Sequence, residues 1–509
     1  MIIVLDFGSQ LAHLIAKKIR MLGEYSEIHP STTTVTEIID LNPKGIILSG
    51  GPSSVYAENA PRIDPEILNL GIPILGVCYG FQLIAYLKGG TVEKGEKSEY
   101  GVTSMKITQE HPLLAGLEEE EQVLMSHGDR VTNLPEGGVF IAETEGAKAA
   151  FADDKDKLYG IQFHAEVEHT PKGMIIFENF LKISGAKREW TSRSFISEKV
   201  EELKKIDKPI LMAVSGGIDS TVAAALIENA ADEYLHCVFV DNGLLRKEEA
   251  QRVVNSYNKM FKHFHFVDAK ELFYNRLKGV TDPEEKRKII GRTFIEVFEE
   301  KAKELEKEFG TFEFLGQGTI YPDRVESAAT SINASVIKSH HNVGGLPEHM
   351  NLTLIEPLDE LYKFEVRLIG NELGIDEKMI KRHPFPGPGL AVRCLGEVTP
   401  ERVAVLQEAD SILTSFLEED PRVTYSDLWQ AFFVLLPVKT VGVMGDERTY
   451  ENAGVIRIVE STDAMTANVA DIPFDLLITI TNEIINKVKG INRVCYDLTG
   501  KPPGTIEWE

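Results

Sequence analysis

The stretch Ile210-Leu211-Met212-Ala213-Val214-Ser215-Gly216-Gly217-Ile218-Asp219-Ser220-Thr221 decides how the middle of this chain folds. Its first five residues read as a buried strand, the serine and two glycines as a tight turn, and residues 221–227 as a helix. A strand that breaks into glycines and reopens as a helix is a phosphate cradle. The glycines let the backbone turn and present its N–H groups. The helix N-terminus adds a fixed partial positive charge, and the Ser215 and Ser220 hydroxyls can donate to phosphate oxygens. The lysine followed by Ser or Thr of a Walker A loop is absent. The turn therefore suits a leaving pyrophosphate better than transfer of a terminal phosphoryl group.

Outward from this turn the same rhythm continues. Residues 236–240, 263–267 and 312–315 read as further strands, and Asp282-Pro283 as the start of a long helix. Before it, residues 2–6, 45–48 and 72–77 read as strands and 10–22 as a helix. After it, His383-Pro384-Phe385-Pro386-Gly387-Pro388-Gly389 cannot be helix or central strand and reads as a shaped connector. Beyond it, helices over 402–417 and 474–488 mix with strands over 432–436, 455–459 and 494–498. The expected fold class is α/β: two doubly wound, mainly parallel-sheet domains (1–188 and 189–384) and a C-terminal α+β domain (385–509). The charged, aperiodic segment 187–193 reads as a linker. A length of 509 residues fits about three domains at roughly 150 residues each.

A formal net charge of −25 argues against a general nucleic-acid or anionic-membrane binder. No apolar run approaches the ~20 residues of a membrane span, and the N-terminus reads as a strand, not a signal peptide. The four cysteines, Cys78, Cys237, Cys394 and Cys495, form no Cys-x-x-Cys pair. A reduced, cytoplasmic protein without structural zinc is expected.

Gly76-Val77-Cys78-Tyr79-Gly80-Phe81-Gln82 follows an apolar run and opens a helix. The Gly-x-Cys-x-Gly spacing is that of a nucleophile elbow with sulfur in place of oxygen. The glycines relieve crowding around a strained residue, and the helix N-terminus favours the thiolate. Alone, Cys78 reads equally well as a buried structural cysteine. Phe163-His164-Ala165-Glu166 changes the balance: His164 can take the thiol proton and Glu166 can orient its ring. Gly51, in Ser49-Gly50-Gly51-Pro52, and Tyr79 can supply N–H groups to an oxyanion. His127 and Asp129, in Ser126-His127-Gly128-Asp129, can recognise a polar substrate.

This first region resembles the class I glutamine amidotransferases across about its whole length. The resemblance implies attack of Cys78 on the side-chain amide of glutamine, with Gln82, His127 and Asp129 at the glutamine site. Ala165 replaces the proline usual between the histidine and the glutamate. The middle turn is similar to that of the ATP pyrophosphatase (PP-loop) enzymes, which adenylate a carbonyl oxygen. That implies an ATP site of Ser215, Gly216, Gly217, Ile218, Asp219, Ser220, Thr221, Val240 and Gly316. A bare Asp219 carboxylate would repel phosphates there, so Mg2+ between them is expected.

Gly316 to Asp323, Lys338 to Pro347, His383 to Leu390 and Lys501-Pro502-Pro503-Gly504-Thr505-Ile506-Glu507-Trp508-Glu509 all resemble the glutamine-hydrolysing GMP synthase family. The resemblance implies glutamine, ATP and xanthosine monophosphate (XMP) as substrates. It implies XMP contacts from Lys501, Ile506, Glu507, Arg292 and Lys338, no nucleic-acid or membrane partner, and a homodimer formed by the C-terminal domain. Two alternatives stay open at this point: an RNA-thiolating PP-loop protein, disfavoured by the acidic charge, and a non-catalytic sensor of glutamine or nucleotide.

Overall fold

The computed structural model describes residues 1–9, 11–324, 352–444, 447–461, 464 and 466–509. Lys338 and its motif lie outside these. The chain divides into two compact units, Met1–Thr191 and Ser192–Glu509. The expected linker over 187–193 is shorter than its composition suggests, because the helix Ser192–Leu203 begins inside it.

The first unit is built on one sheet. Its strands are β1 (Ile2–Asp6), β2 (Ser26–Pro30), β3 (Gly45–Leu48), β4 (Ile74–Val77), β5 (Thr91–Ile107), β6 (Glu120–Asn133), β7 (Val139–Glu143), β8 (Lys148–Asp153) and β9 (Leu158–Ile161). Among the described residues the order is β2-β1-β3-β4-β9-β8-β7-β5-β6. From β2 to β9 the pairing is parallel, and from β9 to β6 it is antiparallel. Strands β3, β4 and β9 are buried at every residue, as parallel strands covered on both faces must be. That forces their continuous apolar reading. The parallel part ends its strands at Ser49, Cys78 and Gln162, so these residues share one edge of the sheet.

Among the described residues the second unit contains two sheets. The first is wholly parallel: β10 (Ile210–Ala213), β11 (Leu235–Asp241), β12 (His263–Asp268), β13 (Phe314–Gly316) and β14 (Thr353–Ile355), in the order β12-β11-β10-β13-β14. The chain proceeds outward from β10 on one side through β11 and β12, then returns to its other side at β13. This reversal is a topological switch point, and it opens a crevice at the C-terminal end of β10. The glycine turn of residues 215–217 sits there.

The second sheet has β15 (Gln430–Met444), β16 (Glu447–Glu460), β17 (Asn468–Val469) and β18 (Ile491–Tyr496). Here β16 pairs antiparallel with β15 and β17 and parallel with β18. Pro437 lacks an N–H for the ladder, and the β15–β16 register shifts between Leu435 and Lys439. The helix expected over 402–417 spans Pro400–Glu419, because Thr399 caps it and Pro400 occupies its first turn. One core holds Leu211 and Val238 together with Leu406, Phe433 and Ile480. The regions expected as second and third domains thus bury their apolar faces in common.

Candidate functional site

In the first unit Cys78 stands between β4 and the helix Tyr79–Leu87 with φ 51°, a left-handed value costly for a side-chain-bearing residue. Its N–H is fixed by Ile161 O at 2.7 Å. The flanking glycines make room. A Cβ at Gly76 would lie 2.4 Å from the Gly80 carbonyl carbon, and one at Gly80 would lie 2.4 Å from Leu48 O. The spacing of the motif is therefore a packing requirement of the turn.

His164 and Glu166 are buried beside it. His164 Nδ1 and Glu166 Oε1 are 2.7 Å apart, and the ring also bonds Cys78. Burial disfavours a charged ring, but the bonds to Cys78 and Glu166 outweigh it and hold the His164 pKa up at about 10. The surroundings thus favour the protonated ring. Its backbone is clamped from both sides: His164 N–H donates to Leu124 O at 3.0 Å, and Thr170 Oγ1 donates to His164 O at 2.6 Å.

Gly50 closes the gap between the pair: a Cβ there would lie 3.2 Å from His164 Cε1 and 3.9 Å from Cys78 Cβ. Gly51 packs on Tyr79, where a Cβ would approach the ring to 3.3 Å. Tyr79 donates its hydroxyl to Pro61 O at 2.6 Å, and burial raises its pKa to about 12. Gln82 Nε2 donates to Asp129 O at 2.8 Å. His127 Nδ1 lies 2.9 Å from the same carbonyl and its Nε2 3.1 Å from Glu99. The Asp129 carboxylate accepts from Ser54 and Tyr56 hydroxyls. Cys78, Gln82, His127, Asp129 and His164 thus lie in one hydrogen-bonded neighbourhood. Sequence reasoning missed Gln162, fully buried and bonded to both Cys78 and Gln82.

In the second unit Gly216 carries the turn with φ 76°, and Gly217 caps the helix Ile218–Ala231. Ser215 and Ser220 hydroxyls are 3.1 Å apart, and Ser215 N–H donates to Ser220 Oγ at 3.2 Å. Thr221 Oγ1 donates to Gly217 O at 2.7 Å and meets the Tyr257 hydroxyl at 2.6 Å. Thr221 thus braces the turn from beneath. Val240 is buried one residue before the end of β11. Gly316 ends β13 against Met212, and the chain beyond passes so close that a Cβ at Gly318 would lie 2.8 Å from Ser220 N.

Asp219 pairs its Oδ2 with Lys363, while its Oδ1 is buried without a partner. An orphaned hard oxygen beside a phosphate cradle fits Mg2+, which takes one or two carboxylates and completes its shell with water and phosphate. No group of three or more metal-competent side chains occurs among the described residues.

The C-terminal tail is folded in. Ile506 packs with Phe432, Val434, Val455 and Val459. Lys501 Nζ donates to Ala464 O at 2.8 Å. The Glu507 carboxylate accepts two bonds from Arg393, at 3.1 and 2.7 Å, and one from Gln430 at 3.3 Å. Arg292 lines a cavity of about 330 Å³ with Arg276, Ile289, Thr293 and Glu296.

Sequence reasoning also missed a cluster of arginines. Arg246, Arg382 and Arg393 stand 4.9, 5.5 and 5.2 Å from the Phe385 ring centre. Buried N–H groups of Arg246 and Arg393 lack partners. Arg382 Nη1 donates to Gly216 O at 3.0 Å. The cluster therefore connects the glycine turn to Glu507. Its one sequence signal is the proline-rich connector that presents Phe385.

Comparison with known proteins defines the class first. Residues 3–183 match the family glutamine amidotransferase class-I, and residues 418–508 match the GMP synthase C terminal domain. Across its whole length the chain is 52% identical over 517 residues to the GMP synthase (glutamine-hydrolyzing) of Symbiobacterium thermophilum, covering 99% of that protein. It is 52% identical over 523 residues to that of Chlorobaculum tepidum, again covering 99%. It is 50% identical over 521 residues to that of Synechococcus sp., covering 96%. The chain belongs to the glutamine-hydrolysing GMP synthase family.

Proposed function

We propose that the first unit releases ammonia from glutamine and the second uses it to convert XMP to GMP at the expense of ATP. The Cys78 sulfur attacks the side-chain carbonyl carbon of glutamine. N–H groups of Gly51 and Tyr79 receive the oxyanion, while Gln82, His127 and Asp129 hold the amino acid. The His164 imidazolium gives its proton to the departing amide nitrogen, so ammonia leaves and a glutamyl thioester remains. Water, deprotonated by the now neutral His164, hydrolyses that thioester to glutamate. The observation that carries this reading is the buried His164–Glu166 bond of 2.7 Å beside Cys78.

In the second unit the turn Ser215–Ser220 grips the β- and γ-phosphates, with Thr221, Val240 and Gly316 completing the ATP site. The XMP C2 oxygen attacks the α-phosphorus. A P–O bond forms, the bond to the β-phosphate breaks, and pyrophosphate leaves. Ammonia then adds at C2 and expels AMP, giving GMP. Mg2+ held by Asp219 would neutralise phosphate charge when bound. Lys501, Ile506 and Glu507 hold XMP, Lys501 anchoring its phosphate and Glu507 meeting its base or ribose. Arg292 and Lys338 remain further candidate anchors. We assign these tasks to regions 1–188, 189–384 and 385–509, the last also forming a homodimer. No helix among the described residues is long and apolar enough to cross a membrane.

The test is a steady-state assay with XMP, ATP and Mg2+, with glutamine or ammonium as nitrogen source, reading AMP and GMP together. Cys78→Ala is expected to abolish glutamine use and keep ammonium use; loss of both contradicts separate sites. Asp219→Ala is expected to stop AMP formation with either source, and unchanged pyrophosphate release removes its metal role. Sedimentation velocity decides the dimer.

A further inference from the structure

Gln162 is the last polar residue before Phe163-His164, at the end of β9, and it is fully buried. Its backbone N–H is spent on Ala149 O at 2.8 Å. Its side chain faces two others. Gln162 Nε2 donates to Cys78 Sγ at 3.6 Å, and Gln162 Oε1 accepts from Gln82 Nε2 at 3.2 Å.

The orientation of both amides follows from one fixed point. The Asp129 carbonyl can only accept, so Gln82 must turn its NH2 toward it, at 2.8 Å. The second hydrogen of that NH2 then points to Gln162, which must answer with its oxygen. That leaves the Gln162 NH2 directed at the sulfur. A carbonyl on β6 thus sets, through two side chains, which group meets the nucleophile. A buried amide is costly unless its bonds are made, so the arrangement is specific.

We propose that Gln162 is a positioning residue that holds the Cys78 sulfur and the Gln82 amide in one frame, so that nucleophile and glutamine-recognition side chain keep a common register. This rests on the reading of Cys78 as the glutamine nucleophile. The amide donates to the sulfur when it is anionic and again when it departs from the thioester, and it leaves His164 free to serve the nitrogen and the water.

Two variants of the full chain test it. Gln162→Met keeps the volume and removes both bonds. Gln162→Glu keeps an acceptor for Gln82 and removes the amide donor. For the Met variant, kcat for glutamine hydrolysis is expected to fall about tenfold and KM to rise, as recognition and attack lose their frame. For the Glu variant at neutral pH, kcat is expected to fall with KM near wild type. Alkylation of Cys78 with iodoacetamide at neutral pH is expected to be about tenfold slower in the Met variant, because an N–H donated to sulfur favours its reactive anionic form. Ammonium-dependent GMP formation stays at the wild-type level in both and checks folding of the second unit; calorimetry checks the first. If the Met variant does not fold, the kcat–KM split in the Glu variant decides. Wild-type kcat and an unmoved alkylation rate overturn the proposal. Failure of wild type itself to hydrolyse glutamine overturns the nucleophile reading instead, and the alkylation rate still reports on the Gln162 bond.

Discussion

The molecule uses the strand–glycine-turn–helix device twice, with opposite assignments of strain. At the thiol turn the left-handed residue is Cys78 itself, φ 51°, and the glycines at 76 and 80 are there to be passed closely. At the phosphate turn the left-handed residue is a glycine, Gly216, φ 76°, and the hydroxyls stand at the two ends of the turn, on Ser215 and Ser220. A left-handed conformation costs a side-chain-bearing residue roughly 1–2 kcal/mol. The first turn bears that cost because it must thrust one side chain outward. The second avoids it because its working parts are backbone N–H groups. A turn that offers a nucleophile and a turn that offers a cradle are thus distinguishable by which residue has positive φ.

The largest effect expected from breaking this contrast is at Gly80. Gly80→Ala drives a methyl into Leu48 O, and the displacement is expected to lower glutamine-dependent GMP formation by about 100-fold or more. Ammonium-dependent formation should survive. Survival of glutamine use would show that the elbow tolerates what its geometry forbids. Next comes Gly216→Ala, which adds left-handed strain of roughly 1–2 kcal/mol and a 2.9 Å approach to Val253. It is expected to slow AMP formation about tenfold with both nitrogen sources. An effect confined to glutamine would place Gly216 outside the ATP site.

A pH experiment sharpens the contrast between the units. His164 is held at about 10 against an ordinary 6.5, burial being outweighed by its bonds to Cys78 and Glu166. Its stabilisation of the first unit is full below pH 6.5 and is lost as pH rises toward 10. In the second unit, burial lowers His236 and His265 to about 4, helped by the charges of neighbouring His263 and Lys301. Their unfolded forms bind protons first, so stability is full above pH 6.5 and is lost as pH falls toward 4. Hydrogen exchange read on peptides of each unit should therefore show the first loosening in alkali and the second in acid. Parallel behaviour of both units would refute the assignment. The smallest effect is expected at Asp282, which caps the helix Pro283–Phe309 by accepting from Glu285 N–H at 2.9 Å. Asp282→Ala should lower stability by about 1 kcal/mol in a denaturant titration and leave both activities intact.

What could be read from the sequence follows the same physics. Both turns were legible because local sterics restrict which residues can occupy them. The parallel strands were legible because burial on both faces forces continuous apolar runs, as in β4 and β11. The antiparallel half of the first sheet was not: β6 alternates exposed and buried residues and carries charges throughout. Gln162, Arg393 and Lys286 were also silent. Each is a long polar side chain whose burial is decided by a distant partner. Lys286 is fully buried because it meets the Ala391 and Cys394 carbonyls and Glu509, the last 223 positions away. The linker's end was set two residues too far, because charge and lack of periodicity also describe the first turn of a surface helix.

The shared core of the second unit has a consequence for biosynthesis. The sheet β10–β14 leaves the ribosome well before Phe433, Ile480 and Ile491, which complete the core it belongs to. At roughly 5–20 residues per second, a nascent chain lacks that part of the core for about 5–30 seconds after β14 is made. The amidotransferase unit can mature on the growing polypeptide, whereas its companion must wait for its last segments, and a chaperone that masks apolar surface has that interval in which to act.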